Sequence, residues 1–244
     1  MGRLSGKVAL VTGAGRGLGK AIAIAFAKEG ATLFLTSRTI VEVEAVAKEC
    51  RSISGSDAIA WQADVTQEAE VTAMFSALDS KLGRIDLLVN NAGTFEGARL
   101  EELSLSDWNK VITTNLTAPF LCTRSALQRM KPKRNGRIIN IGSIAGQRVR
   151  PQSAPYATSK HGLWGLTQVT ALEGREYGVT CGVVNPGNIL VERRATSGKI
   201  EDQEPMMASS DVAEVVLCMA VLPPHVEMLE AIVLPAKQDY VGRG

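Results

Sequence analysis

The sequence predicts a single doubly wound α/β domain built on a mainly parallel seven-stranded sheet. Three observations lead there. Short apolar runs alternate with longer segments of helical period along nearly all of the 244 residues. The runs are near-continuous rather than alternating apolar with polar, as strands covered on both faces require. The first run ends in a glycine-rich turn that opens a helix, a connection suited to anionic ligands. Alternation of this regularity implies right-handed crossovers with helices on both faces of the sheet. No internal repeat or low-complexity linker divides the chain, so residues 1–244 are read as one domain.

The elements follow in order. A strand from Lys7 to Thr12 leads through glycines into a helix beginning near Gly17, and a second strand, Ala31 to Ser37, leads to a helix near Ile40. A third strand, Ala58 to Asp64, precedes a helix near Glu68. The fourth, Ile85 to Asn90, has its core signal in Ile85, Leu87, Leu88 and Val89 and precedes a helix near Asp107. Strands from Arg137 to Ser143, Val179 to Asn185 and Leu229 to Leu234 complete the sheet, with helices near Tyr156 and Asp211 between them. The polar stretch from Asn188 to Ser210, with Arg193, Arg194 and Gly198, breaks the alternation just after a strand's carboxyl end. Open α/β sheets bind ligands there, and a loop of this length is usually functional, so residues 188–210 are read as a substrate lid.

Composition excludes several classes. Hydrophobic residues make up 45% and charged residues 21%, which supplies a sizeable core and argues against a disordered chain. The net charge of +2 is spread along the sequence, so neither nucleic acid nor a membrane surface is expected as a partner. Cys50, Cys122, Cys181 and Cys218 form no C-x-x-C pair and are read as reduced core thiols, which with the lack of a signal peptide or long apolar run suggests a cytoplasmic protein. His161 and His225 lack metal-ligand companions, and no metal is expected.

Tyr156 and Lys160 are the most informative pair. Residues at i and i+4 share a helix face, so a phenol and an ammonium stand side by side. A nearby positive charge favours phenolate and brings tyrosine toward use as an acid near neutrality. Ser143 upstream offers a hydroxyl for a substrate oxygen, although alone it also reads as a strand-end cap. Gly13, Gly17 and Gly19 form the phosphate turn, with a spacing other than G-x-G-x-x-G. At the end of the second strand a carboxylate would accept a ribose 2′-hydroxyl, whereas this chain has Ser37 and then Arg38. Arg38 and Arg16 offer planar donors suited to a 2′-phosphate.

Together these signals resemble the short-chain dehydrogenase/reductase family, Rossmann-type enzymes, from Gly6-Lys7 to about Pro186-Gly187. The resemblance is carried by Thr12-Gly-x-x-x-Gly-x-Gly19, Asp64-Val65, Asn90-Asn91-Ala92-Gly93, Asn115, Ser143, Tyr156-x-x-x-Lys160 and Pro186-Gly187. It implies hydride transfer between NADP(H) and a small carbonyl or alcohol substrate. Tyr156 would be the acid or base, Lys160 would tune it and hold the nicotinamide ribose, Ser143 would hold the substrate oxygen and Asn115 a water leading to solvent. Leu18 lies within the phosphate turn. Asp64 and Val65 would meet the adenine, with an N-cap as Asp64's other reading, and Asn90, Ala92 and Gly93 would lie along the adenine ribose. Pro186, Gly187 and the Ile189 main chain would face the nicotinamide. Where the family commonly carries threonine, this chain has Val191.

The same resemblance implies a homodimer or homotetramer pairing the helices near Asp107 and Tyr156, with 233–244 as a possible second interface. A 3-oxoacyl-thioester reductase is the alternative substrate assignment, although Leu234-Pro235-Ala236-Lys237 lacks the paired glycines usual there. NAD-dependent polyol or steroid dehydrogenases are disfavoured by Ser37 and Arg38. A non-catalytic NADPH sensor is the alternative of another class, opposed by retention of Ser143, Tyr156 and Lys160.

Overall fold

The computed structural model describes residues 2–54, 57–190 and 204–240. Seven parallel strands lie in the order β3-β2-β1-β4-β5-β6-β9. They are β1 (Val8–Thr12), β2 (Thr32–Ser37), β3 (Ala58–Gln62), β4 (Leu87–Asn90), β5 (Gly136–Ile141), β6 (Val179–Pro186) and β9 (Glu230–Val233). The connecting helices are α1 (Gly17–Lys28), α2 (Ile40–Ser54), α3 (Glu68–Leu82), α4 (Leu105–Ile112), α5 (Ala118–Lys133), α6 (Ala154–Gly174) and α7 (Ser209–Ala220). Chain order reverses between β1 and β4, which opens a crevice at their carboxyl ends.

Strand residues alternate between two cores, as the two-residue side-chain period requires. Ala9, Val11, Leu33 and Leu35 meet Ile22 and Phe26 of α1 and Val212 and Val216 of α7. Leu10, Phe34, Leu88 and Ile138 meet Met74, Phe75 and Leu78 of α3 and Ala126 and Met130 of α5. Neither face is wet, which is why the strands read as continuous apolar runs.

Two strands stop two residues earlier than expected, for identifiable reasons. β3 ends at Gln62 because the Asp64 amide donates to Glu70 Oε2 at 2.8 Å rather than to a strand. β5 ends at Ile141 because the Ser143 amide turns to the Asn185 side chain. The helix expected near Asp107 begins at Leu105, where Ser104 Oγ accepts from the Asp107 amide at 3.0 Å. Between α4 and α5 the helix widens into a π-turn over Thr113–Thr117, a device that often marks functional sites.

Cys50, Cys122 and Cys181 are buried, whereas Cys218 is exposed on α7, a correction to the reading of all four as core thiols. Cys218 falls on the outward stripe of a helix whose inward stripe is Val212, Ala213, Val216, Leu217 and Ala220. Among the described residues no helix is long and apolar enough to cross a membrane.

Candidate active site

The glycine turn between β1 and α1 is backbone in left-handed conformations, with φ of 63° at Gly13 and 54° at Gly17. A side chain at Gly19 would collide with the Gly13 carbonyl and the Asn91 amide, and one at Gly13 would lie 2.9 Å from Ala92 Cα. The turn is pinned to the end of β4. Thr12 Oγ1 accepts from the amides of Asn91 and Ala92 at 3.0 and 3.1 Å, and Asn91 Nδ2 donates to the Thr12 and Gly13 carbonyls at 2.9 and 3.1 Å. Leu18 buries its side chain and leaves its main chain at the helix start, while Arg16 is exposed. The turn leading into α1 is thus built of glycine backbone at close quarters, which fits a dinucleotide pyrophosphate.

The adjacent asparagines face opposite ways. Asn90 Nδ2 donates inward to Thr123 Oγ1 at 3.0 Å and to Asn140 Oδ1 at 2.8 Å, and its Oδ1 is buried without a partner. Any contact of Asn90 with a ligand at the turn is thus left to its main chain. Asn91 was passed over as a site residue, and strand alternation was the signal that could have found it.

At the outer end of the crevice, Ser37 Oγ donates to the Thr39 carbonyl at 2.9 Å, and Arg38 is exposed. Asp64 Oδ1 accepts from the Thr66 amide at 3.0 Å and hydroxyl at 2.7 Å, closing an Asx turn. The N-cap of α3 is Gln67, so the N-cap reading of Asp64 is corrected: the helix starts one turn later than a cap there would need. Val65 is buried in the core beneath it. Glu42, in the first turn of α2, is a residue the sequence reading missed. It lies beside Gly15 and Ser37.

Tyr156 and Lys160 share the inner face of α6, with the ammonium 5.6 Å from the phenol ring centroid. Phe95 packs edge-on against Tyr156 at 5.2 Å, fixing the ring. Lys160 Nζ donates to the Ile141 carbonyl at 2.7 Å, and burial lowers its pKa from 10.5 to about 8. Asn115 sits in the π-turn. Its Oδ1 accepts from the Thr94 amide at 2.8 Å, and its Nδ2 donates to the Thr94 carbonyl at 2.9 Å and to Ser159 Oγ at 3.3 Å. The side chain is thereby committed to the loop after β4 and to the residue before Lys160. Gly93, in that loop, keeps its α-carbon free of bulk: a Cβ there would lie 3.4 Å from Asn115 Oδ1.

Ser143 caps the short 3₁₀ turn Ile144–Gly146, its Oγ accepting from the Ala145 amide at 3.1 Å. The cap uses a lone pair and leaves the hydroxyl proton to be donated. Asn185 Oδ1 accepts from the Ser143 amide at 2.9 Å, and Asn185 Nδ2 donates to Glu230 Oε1 at 2.7 Å. Glu230 also accepts from Gln147, which accepts from the Tyr240 hydroxyl.

After β6, the Gly187 amide donates to the Val233 carbonyl at 2.7 Å and the Asn188 amide to Gln238 Oε1 at 2.9 Å. A side chain at Gly187 would strike that oxygen. Ile189–Leu190 (β7) pairs in parallel with Met207–Ala208 (β8), so both ends of the expected lid are tied together. Its middle, residues 191–203, with Val191, Arg193, Arg194 and Gly198, lies outside the described residues. His161 Nδ1 contacts the Ala157 carbonyl of its own helix at 2.9 Å. Among the described residues no cluster of three His, Cys, Asp or Glu could hold a metal ion.

Comparison with known proteins agrees with this geometry. The family model described as short chain dehydrogenase matches residues 7–202. The chain is 36% identical over 218 residues to 3beta-hydroxysteroid dehydrogenase of Mediterraneibacter gnavus, covering 88% of this chain and 78% of that protein. It is 41% identical over 193 residues to a 3-oxoacyl-(acyl-carrier-protein) reductase of Synechocystis sp., covering 79% and 78%. It superposes on a metagenomic short-chain oxidoreductase in complex with NADP with a TM-score of 0.83 at 32% identity, covering 97% of this chain and all (100%) of that one. The chain belongs to the short-chain dehydrogenase family and is an oxidoreductase interconverting carbonyl and alcohol groups with a nicotinamide dinucleotide.

Proposed function

We propose that the enzyme is an NADP(H)-dependent reductase in which Tyr156 is the proton donor. The observation that carries this reading is the Tyr156–Lys160 pair, whose lysine bonds the Ile141 carbonyl two residues before Ser143. The dinucleotide, when bound, supplies or accepts the hydride. Ser143 donates its hydroxyl proton to the substrate oxygen, and Tyr156 delivers a proton to the developing alkoxide. The Lys160 ammonium favours the phenolate that remains and would hold the nicotinamide ribose. Asn115 contributes through its main chain, since its side-chain amide is occupied by Thr94 and Ser159; its carbonyl would hold a water leading from Lys160 to solvent.

Gly13, Arg16, Gly17, Leu18 and Gly19 would hold the pyrophosphate, and Ser37 with Arg38 the 2′-phosphate. Asp64 and Val65 would border the adenine, Asn90, Ala92 and Gly93 the adenine ribose through main-chain atoms, and Pro186, Gly187 and Ile189 the nicotinamide. Residues 1–244 act as one domain, with 188–210 as the lid. Exposed Phe120 (44%) on α5 and Val169 (52%) and Leu172 (60%) on α6 support pairing of these helices in a homodimer or homotetramer. Four cysteines outside any disulfide support a reducing compartment, the cytoplasm.

The test is NADPH and NADH consumption with aldehydes, diketones and 3-oxoacyl thioesters. Turnover lost by a factor of about 10² to 10⁴ in Tyr156→Phe, with dinucleotide binding retained, upholds the reading. Full turnover in that variant overturns it. The 3-oxoacyl-thioester substrate is the second reading, favoured by the 41% identity to the Synechocystis reductase.

A further inference from the structure

We propose that Glu42 is a cofactor-specificity determinant, one that opposes the 2′-phosphate of NADP(H) and keeps the enzyme able to use NADH. This rests on the dinucleotide reading above. In doubly wound folds the adenosine ribose is met at the carboxyl end of the second strand, where an acid accepts the 2′-hydroxyl. Here that strand closes on Ser37, and neither Ser37 nor Arg38 is an acid.

The fold returns an acid from farther along the chain. α2 starts at Ile40, and its first turn carries Glu42 back over the glycine turn. A Cβ built on Gly15 would lie 3.0 Å from Glu42 Cβ, 3.1 Å from Glu42 Oε2 and 3.2 Å from Ser37 Oγ. Carboxylate and hydroxyl thus flank one small volume beside the phosphate turn. Among the described residues Glu42 forms no ion pair, and neither Arg16 nor Arg38 does. Its charge stands without a fixed counter-ion next to the ribose-binding strand end.

Such a carboxylate treats the two dinucleotides differently. A ribose hydroxyl can donate to it, whereas a phosphate of the same sign is repelled. Arg16 and Arg38, both exposed, attract the phosphate, whereas the Glu42 carboxylate repels it. The site therefore carries opposing determinants, and the NADPH preference set by the arginines is held down by Glu42.

The test is direct titration of the whole protein with NADPH and with NADH, following dinucleotide fluorescence, for the wild type, Glu42→Gln and Glu42→Ala. Glutamine keeps the length and an acceptor oxygen, and alanine guards against a fold defect peculiar to one variant. Both should bind NADPH about tenfold more tightly relative to NADH, a gain that shrinks between about 0.1 and 1 M salt as screening shortens from about 10 to about 3 Å. An unchanged ratio of the two Kd values in both variants overturns the proposal. If the wild type binds NADH alone, the reading of Ser37 and Arg38 fails, yet Glu42 is still decided. Acquired NADPH binding in the variants upholds its role, and continued refusal overturns it.

Discussion

Asn185 Oδ1 accepts the main-chain N–H of Ser143 at 2.9 Å, so a residue near the end of β6 sets the backbone of the serine that follows β5. The same amide donates to Glu230, whose other donor, Gln147, accepts from Tyr240. Gly142 makes the approach possible, because a side chain there would occupy the place of Asn185 Oδ1. Asn185 touches no reacting atom in this arrangement and is a positioning residue. Asn185→Ala should lower kcat by about ten- to a hundredfold with a small change in KM, the signature of a misplaced serine rather than lost binding. Steady-state kinetics check this.

Lys160 gives a pH prediction with a definite sign. Burial lowers its pKa from 10.5 to about 8, so the folded protein releases this proton while the unfolded chain still holds it. The unfolded state binds more protons between those values, and stability therefore rises with pH across that window. Below about pH 8 the cost of the buried charge is present in full, about 3 kcal/mol. Urea unfolding should show the stability of the wild type rising relative to that of Lys160→Met as pH passes from about 8 to 10.5, with any advantage of the methionine variant largest below that window. If the ammonium is the catalytic form, kcat/KM for reduction also falls as pH passes about 8.

Arg137 is a buried cation held by neutral acceptors. Its guanidinium donates to the Pro223 and Val226 carbonyls and to Thr180 Oγ1, each at 3.0 Å, and to the Met219 carbonyl at the end of α7. Replacement by methionine fills the volume but orphans these acceptors. Arg137→Met should cost about 3 kcal/mol or more, read as a lower denaturation midpoint at unchanged slope.

Gly19→Ala tests the phosphate turn. The added methyl group meets the Gly13 carbonyl, which is backbone and cannot step aside. Dinucleotide Kd should weaken by about a hundredfold or more, while α1, anchored by Ile22 and Phe26, stays folded. Fluorescence titration with circular dichroism separates the two effects.

The sequence by itself determined the order of strands and helices, the glycine turn and the Tyr156–Lys160 face. Each of these is written in local period or spacing, and a strand buried on both faces or an i, i+4 pair needs no distant partner to be recognised. Only the tertiary structure decided that Asn185 holds Ser143 and that Glu42 returns to a strand end that lacks an acid. Those relationships depend on strand register and on the direction in which a helix leaves its strand. They join atoms that are far apart in the chain or separated by a change of direction, and no local periodicity records where such atoms meet.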